Sequence, residues 1–426
     1  MTDLTTAKMD VLSLKADQLT RFRKGVSLLL ERNAFYKAKL EAAGLRSSQD
    51  LQTMGDYASL PFTTKSELSA DQEAHPPYGS NLTFDLESYV RVHQTSGTTG
   101  RSLYWLDTEK SWTWWGKCWN AVYEGAGVGA RDRIFFAFSF GPFIGFWSAF
   151  EGARQLGAMA LSGGAASTEQ RLRAILDHRA TVLVCTPTYA LHLAGSARAM
   201  GIDLAGSDVR VTIHAGEPGA SLPATRRRIE AEWGAACYDH PGATEVGAWG
   251  FECGERTGVH LNEDEFLFEV IDPSTGEACN DGELVISNLG RWGMPVVRYR
   301  TGDRVRLSSD VCSCGCGFRL LSGGVIGRLD DALIVRGVNV YPSAVENVIR
   351  RFDSIGEFAV SVRRKESMDE MEIRIEVEGP EGEAIAGRVS EEVRRALSLR
   401  AEVREVRVGT LPRFELKARR FVDDRE

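Results

Sequence analysis

The chain has 426 residues, of which 43% are hydrophobic and 26% charged, and its formal net charge is -8. Because single hydrophobic cores stop growing at roughly 250–300 residues, this length predicts more than one domain. The acidic balance argues against a nucleic-acid-binding protein, which would carry a basic excess or a basic face. The N-terminus lacks the apolar region of a signal peptide, and the aromatic stretch 134–150 is shorter than the roughly 20 residues of a spanning helix. We therefore expect a cytoplasmic protein that binds neither nucleic acid nor membrane.

The first part of the chain predicts helices and then a parallel sheet. Residues 16–44 carry apolar side chains at helical spacing and end on Gly44. From about 90 to 245, short β-branched or aromatic runs alternate with helical segments, which indicates βαβ units and a largely parallel sheet. Ligands of such sheets bind beyond the carboxyl ends of the strands. The stretch 134–150 fits a buried strand, a turn and the start of a buried helix, and its aromatic residues also suit the wall of an apolar pocket.

A β-rich region follows. Residues 265–310 read as antiparallel strands joined by Asp-Pro and Asp-Gly turns. After residue 330 the sequence "YPSAVENVIRRF" predicts a helix with a Ser343–Glu346 capping box and a buried apolar face. The run "EMEIRIEVEG" alternates as a half-buried strand should, and another helix is expected at about 382–399. This tail can form a small α+β domain of its own.

The loop "TSGTTGR" follows the strand "YVRV" and contains small and hydroxyl residues that can surround an anion. It does not have the spacing of a P-loop NTPase, because only two residues separate Gly97 from Gly100 and the cation is Arg101. By itself the loop is as consistent with an ordinary Ser/Thr/Gly turn as with a nucleotide site.

Six further motifs occur in order after "SGTTG", namely "HAGEPGA", "YDHPGATEVG", "RYRTGD", "GRLDD", "VRGVNVYPSAVE" and "LPRFELKARR". This ordered set resembles the adenylate-forming superfamily over residues 90–420, and more closely its phenylacetate–CoA ligase-like branch. The resemblance implies a two-step reaction, in which a carboxylate attacks the α-phosphate of ATP and the thiol of coenzyme A then displaces AMP. It also implies a large α/β N-terminal domain over residues 1–329, with a mostly parallel sheet plus a β-rich subdomain. A small mobile α+β C-terminal domain over 330–426 would turn about a hinge at Asp330.

The resemblance implies a nucleotide site built from several segments. The leaving β,γ-phosphates would be gripped by Thr95, Ser96, Gly97, Thr98, Thr99, Gly100 and Arg101. Gly216, Glu217 and Pro218 would lie beside the adenine, and Asp303 would hold the ribose hydroxyls. The family's stacking tyrosine is replaced here by Pro241, so either His240 or Tyr238 supplies the aromatic surface, or adenine packs on the proline. Asp239 belongs to the same segment.

The resemblance also implies the catalytic groups. Thr244 and Glu245 would meet the α-phosphate and Mg²⁺, a metal that prefers oxygen ligands. Arg328 would contact phosphate or ribose. Lys417 would place a mobile ammonium against the pentavalent α-phosphate and the attacking carboxylate. The alternative for Lys417 is a solvated lysine in the basic run "KARR".

The acyl pocket implied by the resemblance comprises Phe138, Phe140, Gly141, Ile144, Ala215 and Gly242. Because "FAFSFGPFIGF" contains no acidic counter-charge, a neutral aryl acid is expected first, with hydroxy- or aminobenzoates next. Coenzyme A would pass Gly337. Two alternatives remain open: acyl transfer to a carrier protein or an amine, and a catalytically inactive nucleotide-binding homologue. The resembled branch is commonly dimeric, so a homodimer is also allowed.

The eight cysteines, without a secretion signal, do not indicate a disulfide framework. A Cys-x-Cys pair with a distant cysteine and histidine suits tetrahedral Zn²⁺. The ligands implied by some members of the resembled branch are Cys253, His260, Cys312 and Cys314, in a structural site. Cys316 could replace Cys312, and the alternative is a set of reduced, unliganded thiols.

Overall fold

The computed structural model describes residues 11–95, 102–331, 333–335, 338–365, 368–379, 382–397, 399–413 and 420–425. The chain divides into two compact units. The first unit contains the residues up to Ala165 together with His240–Gly324, and the second contains Ala166–Asp239 with Val325–Glu426. The sequence predicted one domain boundary at residue 330, whereas each of these units combines two separate stretches of the chain. The domain boundary at residue 330 therefore stays a prediction.

The described helices and strands alternate along much of the chain. The helices are α1 (Val11–Arg32), α2 (Ala34–Ala42), α3 (Met54–Ala58), α4 (Lys65–Ala74), α5 (Glu109–Gly125), α6 (Ile144–Leu156), α7 (Thr168–Asp177), α8 (Pro187–Ala199), α9 (Pro223–Trp233), α10 (Pro342–Ile349) and α11 (Gly382–Leu397). The strands are β1 (Tyr89–Gln94), β2 (Tyr104–Thr108), β3 (Arg133–Phe136), β4 (Met159–Ser162), β5 (Val182–Cys185), β6 (Val211–His214), β7 (Ala236–Asp239), β8 (Gly250–Phe251), β9 (Gly258–Leu261), β10 (Phe266–Ile271), β11 (Asp281–Asn288), β12 (Tyr299–Leu307), β13 (Leu320–Arg328), β14 (Leu333–Val335), β15 (Val338–Val340), β16 (Ile355–Lys365), β17 (Met368–Val377), β18 (Ala401–Val406) and β19 (Phe421–Asp424). Among the described helices, none combines the length and apolar character that a membrane crossing requires.

The first unit is built around a six-stranded sheet with the order β10-β11-β12-β13-β9-β8. Its pairs β10–β11, β11–β12, β13–β9 and β8–β9 are antiparallel, which confirms the antiparallel region expected over 265–310. The strand β3 pairs in parallel with β4, and α6 follows β3 after a turn, as the aromatic stretch 134–150 predicts. The strand β1 instead pairs antiparallel with β2, so it does not belong to the parallel arrangement.

The helical segment expected over 16–44 is interrupted at Asn33. The side-chain oxygen of Asn33 accepts a hydrogen bond from the backbone N–H of Tyr36 at 2.9 Å. This bond satisfies one of the free amides at the start of α2, so the asparagine ends one helix and caps the next.

The second unit contains the parallel strands β5, β6 and β7, in which Cys185 is in register with His214, and His214 with Asp239. The helices α8 and α9 connect them, as βαβ units require, and the predicted parallel arrangement is confirmed. A second sheet in this unit has the order β18-β17-β16-β19, with β16 and β17 antiparallel and β18 and β19 added in parallel. The fold class expected from the sequence is therefore correct.

The prediction of a Ser343–Glu346 capping box at the start of α10 is wrong. The helix is capped by Tyr341 and begins at Pro342, whose fixed φ and missing N–H suit the first helical position. Ser343 consequently lies inside the helix, and its hydroxyl donates to the carbonyl of Ile326 at 2.6 Å. The expected apolar face is confirmed, since Val345, Val348, Ile349 and Phe352 are all buried.

Candidate functional site

The base of the expected phosphate loop is closed by backbone and side-chain bonds in the first unit. The N–H of Thr95 donates to the carbonyl of Leu103 at 2.9 Å, and the N–H of Leu103 donates to Thr95 Oγ1 at 3.0 Å. The strands β1 and β2 pair up to Gln94 and Tyr104. Thr95 is therefore fixed at the point where the loop leaves the hairpin. The other predicted loop residues, Ser96, Gly97, Thr98, Thr99, Gly100 and Arg101, lie outside the described residues.

Thr244 and Glu245 occupy a tight turn in the first unit. Ala243 and Gly247 exchange backbone hydrogen bonds of 3.1 and 2.9 Å across this turn, and Gly247 has a φ of +142°. Glu245 is 9% exposed and Thr244 is half-buried. The turn therefore carries a half-buried hydroxyl residue and a buried carboxylate residue at consecutive positions.

Sequence reasoning missed the side chains that hold this turn. Arg291 donates from Nη1 to the carbonyls of Thr244 at 2.6 Å and Glu245 at 3.3 Å, and it also forms a buried ion pair with Asp107. Asp107 and Arg291 are 184 residues apart and lie in no motif, so only the unusual placement of a charge within apolar runs such as "YWLDT" could have signalled them.

Asp303 lies on β12 in the first unit and is half-buried. Its backbone N–H donates to Thr301 Oγ1 at 3.0 Å, and Gly302 beside it has a φ of +75° that favours glycine. The "TGD" segment is therefore an irregular point of the strand, with the aspartate on a fixed backbone.

In the second unit, two predicted segments stand at the carboxyl ends of adjacent strands. Ala215, Gly216, Glu217 and Pro218 follow β6, while Tyr238 and Asp239 are buried at the end of β7. A carboxylate oxygen of Glu217 accepts the N–H of Thr188 at 2.9 Å, at the start of α8. Glu217 therefore has a structural role, because it satisfies a helix N-terminal amide that lacks an intrahelical partner.

His240 is packed into the core of the first unit. Its Nδ1 lies 2.8 Å from the carbonyl of Gly250, and its ring centroid lies 4.2 Å from that of Trp119. Burial lowers the pKa of His240 to about 4, so the imidazole is neutral near pH 7. The ring of His240 is therefore covered by the core of the first unit and is 4% exposed. Gly242, two residues on, is exposed.

The predicted acyl wall is a cluster of aromatic rings in the first unit. Phe138 stacks on Phe146 with centroids 3.8 Å apart and lies 4.7 Å from Phe140. Trp147 lies 4.5 Å from Phe140, and its indole N–H donates to the carbonyl of Gly141 at 2.9 Å. Ile144 is buried, whereas Phe143 and Trp147 remain 42% and 40% exposed. The cluster therefore presents a partly open apolar surface.

Arg328 and the expected hinge residue Asp330 contact each other in the second unit. The guanidinium donates to both carboxylate oxygens at 2.9 and 2.8 Å, and both side chains are exposed. This fork is an exposed pair, which typically contributes less than about 1 kcal/mol. Gly337 and Lys417 lie outside the described residues.

The four predicted zinc ligands converge in the first unit. One ligand atom from each of Cys253, His260, Cys312 and Cys314 lies within 4.8 Å of all the others. The Sγ atoms of Cys253 and Cys312 are 3.6 Å apart, and Cys314 Sγ is 3.4 Å from His260 Nε2. His260 Nδ1 lies 3.4 Å from the carbonyl of Phe318, which leaves Nε2 directed at the thiols. Cys316 is not among the converging residues, and its backbone N–H donates to Cys314 Sγ at 3.4 Å.

Comparison with known proteins shows that the chain is similar to AMP-binding enzymes and to phenylacetate-coenzyme A ligases. A family model described as the AMP-binding enzyme C-terminal domain matches residues 337–425. A phenylacetate-coenzyme A ligase of Thermus thermophilus is 33% identical over 374 residues, which cover 86% of this chain and 82% of that protein. A phenylacetate-coenzyme A ligase of Pseudomonas putida is 30% identical over 436 residues, which cover 99% and 96%.

A solved structure extends this similarity to the fold. The crystal structure of 2-hydroxyisobutyryl-CoA ligase in the postadenylation state, in complex with 2-HIB-AMP, has a TM-score of 0.92 at 28% identity. It covers 98% of this chain and 91% of that chain. The similarity therefore runs through almost all of the sequence, not through the seven motifs alone.

Proposed function

Because the chain belongs to the phenylacetate–CoA ligase family of adenylate-forming enzymes, we propose that it converts an aromatic carboxylic acid into its coenzyme A thioester. The class of reaction is that of an AMP-forming acid–CoA ligase. A carboxylate oxygen bonds to the α-phosphorus of ATP while pyrophosphate leaves with the bridging electrons, and the thiol of coenzyme A then displaces AMP. The proposal adds the type of acid and the role of each residue.

The ring cluster of the first unit is the observation that supports an aromatic acid as the substrate. Phe138 and Phe140 lie 4.7 Å apart in a tilted arrangement, and Trp147, which lies 4.5 Å from Phe140, is 40% exposed. An aryl acid can join such a cluster through offset or edge-to-face contacts. A second candidate is a small branched hydroxy acid, because the solved ligase with a TM-score of 0.92 carries 2-HIB-AMP.

For the first half-reaction we assign Thr244 and Glu245 to the α-phosphate. The turn carries a hydroxyl and a carboxylate residue in succession, and these oxygen groups suit Mg²⁺, which prefers oxygen ligands and keeps several waters. When bound, Mg²⁺ would neutralise charge on the phosphates. Asp303 would accept the ribose hydroxyls, and Thr95 with Ser96–Arg101 would hold the leaving pyrophosphate. The part of the chain after Asp330 would then rotate between the two half-reactions.

We also assign a structural zinc site to Cys253, His260, Cys312 and Cys314. Sulfur atoms bound to one zinc at 2.3 Å in tetrahedral geometry lie roughly 3.8 Å apart, close to the 3.6 Å between Cys253 and Cys312. The histidine offers Nε2 while Nδ1 faces a carbonyl, as the second shell of a zinc ligand normally does. All four positions would be filled by protein, so this site would stabilise the fold and take no part in the reaction.

The experiment that tests the function is pyrophosphate release across a panel of acids. The panel contains phenylacetate, benzoate, hydroxy- and aminobenzoates and 2-hydroxyisobutyrate, each with and without coenzyme A. We expect release with an aryl acid and a thioester product only when coenzyme A is present. Turnover limited to 2-hydroxyisobutyrate would exclude the aromatic substrate, release that requires a carrier protein or an amine would change the acceptor, and no release with any acid would favour an inactive homologue.

Lys417 gives a second test of the same proposal. Its ammonium is assigned to the charge that builds up on the α-phosphate, so Lys417→Ala should lower ATP–pyrophosphate exchange by about 10²-fold or more. The same variant should still form thioester from supplied acyl-adenylate, because that step no longer involves the attack on ATP. Exchange at the wild-type rate would remove Lys417 from the mechanism.

A further inference from the structure

We propose that Asp107 and Arg291 are positioning residues for adenylation, which hold the turn of Thr244 and Glu245 against the strand that leaves the phosphate loop. The inference rests on the proposed function, because it takes this turn as the site of the α-phosphate. Neither residue belongs to a motif that carries the family resemblance, and neither side chain reaches solvent.

The ion pair is two-pronged and fully buried. Arg291 donates from Nε to Asp107 Oδ1 and from Nη2 to Asp107 Oδ2, both at 2.7 Å, and both side chains are 0% exposed. The guanidinium carbon lies 5.2 Å from the ring centroids of both Trp105 and Trp115. A buried charge is tolerated only when it is paired and its hydrogen-bonding groups are satisfied. The guanidinium therefore has one orientation, fixed by the carboxylate and the two indole rings.

The remaining nitrogen of Arg291 holds the turn. Its Nη1 donates to the carbonyls of Thr244 at 2.6 Å and Glu245 at 3.3 Å. Asn288, three residues earlier, donates from Nδ2 to the carbonyl of the next residue, Val246, at 3.3 Å. Three successive carbonyls of one turn are thus bound by side chains from a single segment. This arrangement orients the peptide planes from which the Thr244 and Glu245 side chains project.

The other end of the ion pair lies on β2, the strand that follows the phosphate loop in the chain. Asp107 lies on β2, and the loop returns to the hairpin where β2 begins, at Tyr104. The pair therefore joins the strand that leaves the site of the β,γ-phosphates to the turn assigned to the α-phosphate. Adenylation breaks the bond between the α-phosphorus and the oxygen that bridges it to the β-phosphate. The distance between the two sites consequently decides how well that bond is aligned, and a misplacement of about 1 Å can cost 10²-fold in rate.

The test compares Arg291→Lys with a matched control, Arg298→Lys. Arg298 is also buried in the first unit and forms a two-pronged pair with Glu269 at 2.8 and 2.7 Å, but it donates to no carbonyl of the 243–247 turn. Lysine keeps the charge and loses the planar fork.

We expect both variants to lose similar stability in urea, while only Arg291→Lys lowers kcat for ATP–pyrophosphate exchange, by about 30- to 100-fold. Only Arg291→Lys should also raise the Mg²⁺ concentration for half-maximal exchange and speed amide hydrogen exchange over residues 243–248. Thioester formation from supplied acyl-adenylate should stay within about threefold of wild type in both variants.

Equal losses of pyrophosphate exchange in Arg291→Lys and Arg298→Lys, or unchanged hydrogen exchange over residues 243–248 in Arg291→Lys, would overturn the proposal. If Arg291→Lys does not fold, the double variant Asp107→Asn/Arg291→Gln removes both buried charges together, and wild-type pyrophosphate exchange in it would equally overturn the proposal. If the wild-type protein shows no ATP–pyrophosphate exchange with any acid of the panel, the proposed function is contradicted. The hydrogen exchange of 243–248 would still decide whether this ion pair holds the turn.

Discussion

Each of the two units contains a cysteine beside a histidine, and the two pairs have different surroundings. In the first unit, Cys314 Sγ lies 3.4 Å from His260 Nε2, and two more thiols complete a group of four. In the second unit, Cys185 Sγ lies 3.8 Å from His214 Nδ1, on adjacent parallel strands, and both side chains are fully buried. The residue types and the separations are similar, so the difference must come from the partners of each group.

The decisive partner is the backbone carbonyl that each imidazole meets. In both histidines Nδ1 faces a carbonyl, that of Phe318 for His260 and that of Cys185 for His214. For His260 the thiols lie on the side of the other nitrogen, which can therefore bind a metal. For His214 the thiol lies on the side of the nitrogen that already faces the carbonyl, and burial raises the pKa of the Cys185 thiol and keeps it protonated. The first arrangement suits a metal, whereas the second is ordinary core packing.

The largest effect is expected from breaking the four-residue cluster. Cys253→Ser should reduce bound zinc from about one equivalent per chain to near zero and lower the free energy of unfolding by about 3 kcal/mol or more. Cys316→Ser is the matched control, because Cys316 is not among the four converging residues and its hydrogen bond to the cluster comes from its backbone N–H, so the variant should keep the metal. Metal analysis after dialysis against a mild chelator measures both variants. Wild-type protein with less than about half an equivalent of zinc would contradict the site.

A smaller effect is expected from the buried imidazole of the second unit. Burial lowers the pKa of His214 to about 4, below its usual value of 6.5, so the unfolded chain binds the proton more readily between these values. The free energy of unfolding should therefore fall as the pH falls from about 6.5 towards 4, by at most about 1.4 kcal/mol per pH unit for this group.

Between pH 6.5 and pH 5, the free energy of unfolding of His214→Gln should fall by roughly 1.5 kcal/mol less than that of wild type, as measured by urea unfolding. The exposed His178→Gln serves as the control and should follow the wild-type dependence. An identical pH dependence in His214→Gln and wild type would show that this imidazole does not titrate in that range.

The smallest effect is expected from the thiol of the second unit. Cys185→Ala removes one fully buried sulfur atom and should lower the free energy of unfolding by about 1 kcal/mol without changing the zinc content. Loss of zinc from Cys185→Ala would mean that the two cysteine–histidine neighbourhoods are not independent. Thermal unfolding together with metal analysis distinguishes the two results.

The predictable parts of the fold and of the site are those that depend on residues close together in the sequence. The alternating runs predicted the parallel strands β5 to β7. The Cys-x-Cys spacing predicted Cys312 and Cys314, and the family resemblance added Cys253 and His260; the structure brings all four together. Cys316 was a possible substitute for Cys312, but it is not among the four converging residues, and its backbone N–H donates to Cys314 Sγ. The break at Asn33 and the start of α10 at Pro342 were missed because each depends on which residue takes the capping position.

Asp107 and Arg291 could not have been found in the same way. They are 184 residues apart, and nothing in "YWLDT" or "NLGRWGM" indicates that the two segments meet. A charge within an apolar run is the signal that each residue leaves at its own position, and this signal does not identify its partner. The role of each residue becomes visible only when its hydrogen-bond partners are known.

The hydrogen bond from Ser343 to Ile326 would bear on the rotation that we propose about Asp330. The two residues lie on opposite sides of Asp330 in the chain, so the proposed rotation about that residue would have to break this bond in every turnover. A single neutral hydrogen bond contributes only about 0.5–1.5 kcal/mol, and the exposed fork of Arg328 and Asp330 contributes less than about 1 kcal/mol. Contacts of this strength can bias the equilibrium between conformers by roughly a factor of ten, and they release quickly compared with the 1–10³ turnovers per second that are typical of enzymes. In the proposed cycle, the Ser343 hydrogen bond would weakly favour one conformer without holding the chain in it.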